Sequence, residues 1–127
     1  MIKHVFFEGS NLTIVDQTGA EKIINVGVNI YKVISTSVHV VLLLSWEELN
    51  GTEFHNRNII CLDETGNILW RIINQDTLSI SKDKTNYAWS SLKLKNNDCI
   101  RVGTTMGMEV DVNIHSGNLL GNWEFTK

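Results

Sequence analysis

The groups with which this chain could do chemistry are four histidines, two cysteines and fourteen carboxylates. His4, His39, His55 and His115 are dispersed, with no His-x-x-x-His and no Cys-x-x-Cys among them. A zinc site needs three or four converging ligands, and no local pair starts one here. Cys99 has no nucleophile-elbow glycines around it, and Cys61 and Cys99 each sit in an apolar, strand-like run. Both are expected to be unpaired thiols. Gly103 and Gly107, in RVGTTMGMEV, read as a hairpin rather than a phosphate loop. Asp63 and Glu64 are adjacent, so a continuing strand sends their side chains to opposite faces, and neither could share a substrate with the other. The expectation is a chain that is not an enzyme, with no cofactor and no metal.

Aromatic and acidic residues offer a different chemistry, that of recognition. The stretch WEELNGTEFHNRN interrupts two strongly apolar segments and gathers Trp46, Glu47, Glu48, Glu53, Phe54 and His55. A second aromatic pair, Tyr87 and Trp89, follows the polar run SKDKTN. Aromatics beside polar loops are frequent anchors at protein interfaces, and they also cover the rims of cores. These eight residues are the candidate partner-binding set. Trp70 and Trp123 instead lie in apolar strands after turns, where an indole packs between sheets.

The elements that must position such a surface are strands. Ile24, Val26, Val28 and Ile30 alternate with polar or small residues, as do Leu92 with Leu94, and Met108, Val110, Val112 and Ile114. A period of two predicts half-buried antiparallel strands. Val38 to Leu44 is apolar but for His39 and predicts a strand buried on both faces. The one helical signal is Ser45 to Gly51, where Ser45 could cap a single turn with Glu48 reaching back. A plain loop fits as well. The chain has 127 residues, no proline, 43% hydrophobic content and a net charge of −3. That size suits one domain, 1–127, with a core sufficient for folding. The weak acidity argues against gripping nucleic acid, which calls for a basic face. The longest apolar runs are too short to span a bilayer, and MIKHVFFEGSNL lacks the pattern of a secretory signal, so the expected location is the cytoplasm.

Three segments repeat a strand and a polar turn closed by glycine: LTIVDQTG at Gly19, IICLDETG at Gly66 and VDVNIHSG at Gly117. In the first two, Asp16 and Asp63 can accept hydrogen bonds from turn amides, while the glycine supplies a positive φ. The glycines lie 47 and 51 residues apart. That interval suits the blade of a β-propeller, about 40 to 50 residues. A ring closes with about four to eight blades. The prediction is therefore an open, half-propeller-like arc of about three small antiparallel sheets, with a β-sandwich as the alternative. Open ends and exposed strand edges tend to be covered by a partner or a second copy.

The segment NIICLDETGNILWRI, Asn58 to Ile72, resembles a blade of the quinoprotein-type propellers, and Ile100 to Lys127 resembles a last blade of that kind. The layout, with RNIICLDETGNILW in the middle and SGNLLGNWEFTK after it, is similar to small bacterial immunity proteins of contact-dependent growth inhibition and polymorphic toxin systems. The likeness spans about the C-terminal two-thirds of the chain. It implies binding and neutralisation of a cognate toxin, a nuclease with a basic groove, by covering its active site. Such families share no catalytic residues, so the resemblance assigns no site. The other reading is a non-catalytic scaffold or ligand-binding module that dimerises.

Overall fold

The computed structural model of the chain describes residues 1–72, 88–104 and 107–125, with the last four as backbone only. Eleven strands among them form three successive antiparallel meanders. The first sheet holds β1 (Ile2–Glu8), β2 (Asn11–Asp16) and β3 (Glu21–Asn25). The second holds β4 (Ile30–Ser35), β5 (His39–Leu44), β6 (Ile59–Asp63) and β7 (Ile68–Arg71). The third holds β8 (Trp89–Asn96), β9 (Cys99–Thr104), β10 (Met108–Asn113) and β11 (Leu119–Phe125). Each strand pairs with its neighbour in sequence, and no sheet closes into a barrel. The fold is all-β. The first strands approach one another, β1 lying against β4, and β4 and β5 against β8.

The middle sheet is covered on both faces, and its sequence shows why. In β5, Val40, Leu42 and Leu44 point into a core shared with the first sheet, beside Leu12, Ile14, Ile60 and Leu62. Val41 and Leu43 point the other way, with Ile59 and Cys61, into a core shared with Trp70, Trp89, Ile100, Val102, Val110 and Val112. Both faces of β5 and β6 are therefore apolar, and the alternating pattern vanishes there. Val38 lies outside this strand and is exposed.

The three turns occupy equivalent places. Each joins the next-to-last strand of its sheet to the last, so the first sheet lacks one strand at its beginning. Asp16 Oδ1 accepts from Thr18 N, Thr18 Oγ1 and Ala20 N at 2.9, 2.6 and 3.1 Å. Asp63 Oδ1 repeats this with Thr65 N, Thr65 Oγ1 and Asn67 N at 2.9, 2.7 and 2.9 Å. The Thr65 hydroxyl and the turn amides hold the Asp63 carboxyl down at about 2, and Asp16 is lowered by the same kind of bonds. The third turn is one residue longer, with Asn113 Oδ1 accepting from His115 N at 2.8 Å.

Two of the turn glycines are also docking points. The Gly66 turn lies beneath Ile24 of β3, and a Cβ there would collide with that side chain. The Gly117 turn lies beneath Trp70 of β7, whose Cδ2 is 2.6 Å from where a Cβ would stand. Trp70 Nε1 donates to Ile114 O at 2.7 Å, which fixes the indole over that turn. The last strand of one sheet thus covers the turn of the next, whereas Gly19 in the first sheet meets nothing within 4 Å. One expectation fails here. The run from Ile24 to Ile30 is not one strand, because the chain leaves the first sheet at Asn25 and bends at Gly27, φ 86°, on a bond from Gly27 N to Asn25 Oδ1. Val26 and Val28 still pack against the core, so the alternation reports burial across a crossover.

Cys61 is wholly buried between the second and third sheets, and burial pushes its thiol up to about 12. Cys99 is half-buried, and neither cysteine is in a disulfide. At one end of the same interface, His39 is buried with its ring edge-on to His115, centroids 4.9 Å apart. His115 Nε2 lies 2.8 Å from Asp98 Oδ1.

Two outcomes are expected. Gly19→Ala and Gly117→Ala both carry the strain of a positive φ, about 1 to 2 kcal/mol. Gly117→Ala must also displace the Trp70 ring, so chemical denaturation should show it to be clearly the more destabilised. Equal losses would mean that the indole does not depend on the bare turn. The second outcome concerns pH. Burial, then the His115 charge, lower the His39 pKa below its ordinary 6.5. The unfolded chain then takes up the proton first, so stability present above that value is lost as pH falls. Urea unfolding between pH 7.5 and pH 5 should show a smaller loss for His39→Gln than for the native chain (roughly the interval around the ordinary histidine pKa).

Candidate functional site

The acidic stretch occupies the connection between β5 and β6, and hydrogen bonds wind it into successive reverse turns rather than a helix. Ser45 N donates to Asn29 O at 2.8 Å, and Glu48 N donates to Ser45 Oγ at 3.3 Å. Thr52 Oγ1 donates to Leu49 O at 2.7 Å and accepts from Phe54 N at 3.2 Å. Arg57 N then closes on Phe54 O at 3.0 Å. His55 Nδ1 lies 2.9 Å from Trp46 O, an arrangement in which the ring nitrogen donates and the two ends of the loop are joined. Leu49 is buried, and Phe54 packs half-buried against the core between the first and second sheets. The loop is therefore a folded platform. Its exit is held by Asn58, wholly buried, whose Nδ2 donates to Leu44 O and Trp89 O at 3.0 and 2.8 Å. Asn58 Oδ1 accepts from Trp89 N at 3.0 Å.

The expected site residues separate into three groups. Trp46, Glu47, Glu48, Glu53 and His55 come together on this platform, with the three glutamates exposed and Trp46 and His55 half-exposed. The Glu47 and Glu53 carboxylates have no hydrogen bond or ion pair among the described residues, whereas Glu48 Oε2 accepts from Asn29 N at 2.9 Å and helps anchor the loop. Phe54 is on the loop but turned inward, with the Arg71 guanidinium 4.1 Å above its ring. It is partly exposed, like Trp46 and His55, and its contacts with the core and Arg71 also hold the platform down. Trp89 is corrected outright. It is fully buried in the core between the second and third sheets, and its Nε1 donates to Asn56 O at 3.1 Å. A large aromatic at the first position of β8 fills the space beside Asn58 instead of facing solvent. Tyr87 lies outside the described residues.

One surface residue escaped the sequence reading. Tyr31 in β4 is 39% exposed and stands edge-on to Trp46, centroids 4.8 Å apart, while its hydroxyl accepts from Ser45 Oγ at 3.2 Å. Only its place as an outward residue in the run Ile30-Tyr31-Lys32-Val33 hinted at this. At the loop's exit, Arg71 NH1 donates to Arg57 O at 2.9 Å and Arg57 Nε to Ile72 O at 3.1 Å. Burial, then Arg57, lower the Arg71 pKa, and Glu53 opposes them. Of the three carboxylates, Glu53 is the one that acts on Arg71, each guanidinium donates to a backbone carbonyl, and the exposed side chains of the loop are acidic and aromatic.

Among the described residues, no group of three or more His, Cys, Asp or Glu side chains is placed to hold a metal ion. A groove of about 170 Å³ lined by Ile14, Asp16, Ala20, Glu21, Lys22, Glu64 and Thr65 shares no residue with the platform. No described helix is long and apolar enough to cross a membrane. The model of a family described as a domain of unknown function, DUF7957, matches residues 2–123. The chain belongs to the DUF7957 family. A search of curated proteins finds no match. The DUF7957 match takes in all three sheets, the acidic platform and the Asn58 junction.

The two tryptophans should behave differently on truncation. Trp89→Ala should cost about 3 to 5 kcal/mol in urea unfolding, as for other buried aromatics. Trp46→Ala should cost about 1 kcal/mol, the worth of its edge contact with Tyr31. Comparable losses at the two positions would place Trp46 in the core.

Proposed function

We propose that this DUF7957 chain is a non-catalytic inhibitor that binds one partner protein through the β5–β6 platform. The partner class that fits is a toxin domain with a basic groove, a nuclease of the contact-dependent growth inhibition or polymorphic toxin kind. The chain would serve as the immunity protein and act in the cytoplasm. The observation that supports this reading is the exposure of Glu47, Glu48 and Glu53 on a loop already ordered by its own hydrogen bonds. Carboxylates on an ordered loop can take the places of substrate phosphates with little ordering cost. Trp46 and Tyr31 beside them supply a half-exposed aromatic pair of the sort that slows dissociation. The similarity of the repeat layout to small immunity proteins points the same way. Inhibition of this kind needs shape and charge complementarity and no reacting group on the inhibitor.

The test is to express whatever toxin-like domain is encoded beside this gene and titrate the chain against it. Glu47→Lys, Glu48→Lys and Glu53→Lys combined should weaken binding by about 2 to 5 kcal/mol, since each places a like charge against a basic groove. Because Glu48 also accepts from Asn29 N, the Glu47→Lys, Glu53→Lys double variant is measured beside it, with circular dichroism as the folding control. Full affinity in both variants would remove the platform from the interface. Absence of binding by the native chain would remove the immunity reading itself.

A further inference from the structure

Every sheet face inside the arc meets another sheet, which leaves two terminal faces of opposite character. On the outer face of the third sheet, Arg101 Nε and NH1 reach Glu109 and Asp111 at 3.1 and 3.2 Å. Lys95 Nζ reaches Asp111 at 2.9 Å, and Lys93 approaches Glu109 at 3.7 Å. This lattice of paired charges keeps the face solvated. The outer face of the first sheet is built otherwise. Alternation and register set His4, Val15 and Glu21 in one row, Phe6, Thr13 and Ile23 in the next, and Glu8, Asn11 and Asn25 in the third. Phe6 is 47% and Ile23 67% exposed, and the His4 ring stacks on Phe6 with centroids 5.9 Å apart. Stacked arrays need a polar outer surface at each end to stay apart. At this end six of the nine residues are polar and Val15 and Thr13 are buried. The exposed apolar surface is that of Phe6 and Ile23, with no ion pairs around it, among the described residues, like those of the third sheet.

We propose that the outer face of the first sheet is the interface of a homodimer. Head-to-tail stacking would press Phe6 and Ile23 onto Lys93 and Lys95, burying the charges against an apolar row, so an open filament is disfavoured. Packing the face on its own copy avoids this and closes at two. The charges allow it. With a two-fold axis along the strands, Phe6 meets Ile23 of the second copy, His4 meets Glu21, and Glu8 meets Asn25. With the axis across the strands, Phe6 meets itself, His4 meets Glu8, and Glu21 meets Asn25. Neither arrangement opposes like charges, and both keep the apolar row on itself. The size of the face sets the strength. Three strands about 4.8 Å apart and seven residues of about 3.3 Å give roughly 300 Å². That is well under the approximately 800 Å² per partner of a standard interface, so the dimer is a weak one that forms at high concentration. It uses no residue of the β5–β6 platform and stands independently of the proposed function.

Sedimentation velocity from about 10 μM to about 1 mM, the range for weak association, tests this on the intact chain. The weight-average mass should rise with concentration toward twice the monomer. Phe6→Glu and Ile23→Lys should each abolish that rise, and Lys93→Ala on the opposite terminal face should leave it in place. Ile23 is the more exposed of the two, so Ile23→Lys remains informative if Phe6→Glu folds poorly, with unfolding temperature as the control. Amide chemical shifts that move with concentration should be confined to β1, β2 and β3. A native chain that stays monomeric at 1 mM, or a folded Ile23→Lys variant that still dimerises, would overturn the proposal.

Discussion

Asn58 leaves the β5–β6 loop with its side chain wholly buried, and its amide has three partners on two different sheets. Those partners are the last carbonyl of β5 and both backbone groups of Trp89 at the start of β8. A buried amide or carbonyl left unpaired costs about 1 to 3 kcal/mol, so the three bonds stand or fall together. Much else hangs on them. They close the mouth of the acidic loop and set where β8 enters. Trp89, placed by this junction, fills the space between the second and third sheets and returns an indole bond to Asn56, two residues upstream of Asn58. The platform proposed as a binding surface is in this sense an extension of the core.

The relation between the sheets explains which parts of the sequence were readable. The Asp-x-Thr-Gly turns were legible because their chemistry is local: one carboxylate, two amides, a hydroxyl and a glycine within five residues. Likewise the unbroken run Val40–Leu44 could only be a strand covered on both sides. What failed was non-local. The alternation through Val26 and Val28 looks like a strand, yet those residues face the same core from a crossover. Polar neighbours made Trp89 look like a surface aromatic, while the residues that bury it lie about thirty or more positions upstream or on the adjoining strand. Phe54 and Tyr31 depend on contacts of the same kind, one turned inward under Arg71 and the other outward against Trp46.

Charge is distributed with similar economy over the surface. Glu47, Glu48 and Glu53 are exposed on one loop, with Glu53 acting on Arg71, and Arg57 and Arg71 each donate to a backbone carbonyl. The outer face of the third sheet instead neutralises its charges in place through crossed ion pairs. The pairs of the exposed Lys93 and Lys95 contribute little stability each, and their effect is on solvation and partner choice, whereas the Arg101 pairs are largely buried. The near-neutral total of −3 therefore conceals an acidic corner, an end of paired charges and an end where Phe6 and Ile23 are exposed.

Cys61 gives the interface between the second and third sheets a chemical clock. Its thiol lies among Val41, Ile59 and Ile114, and its ionisation is suppressed to about pH 12. Only the thiolate reacts with an alkylating reagent, so the closed protein offers almost none at neutral pH. Cys99 is half-buried and can be alkylated first. Once Cys99 is blocked, the rate at which Cys61 is consumed counts the moments when the two sheets part.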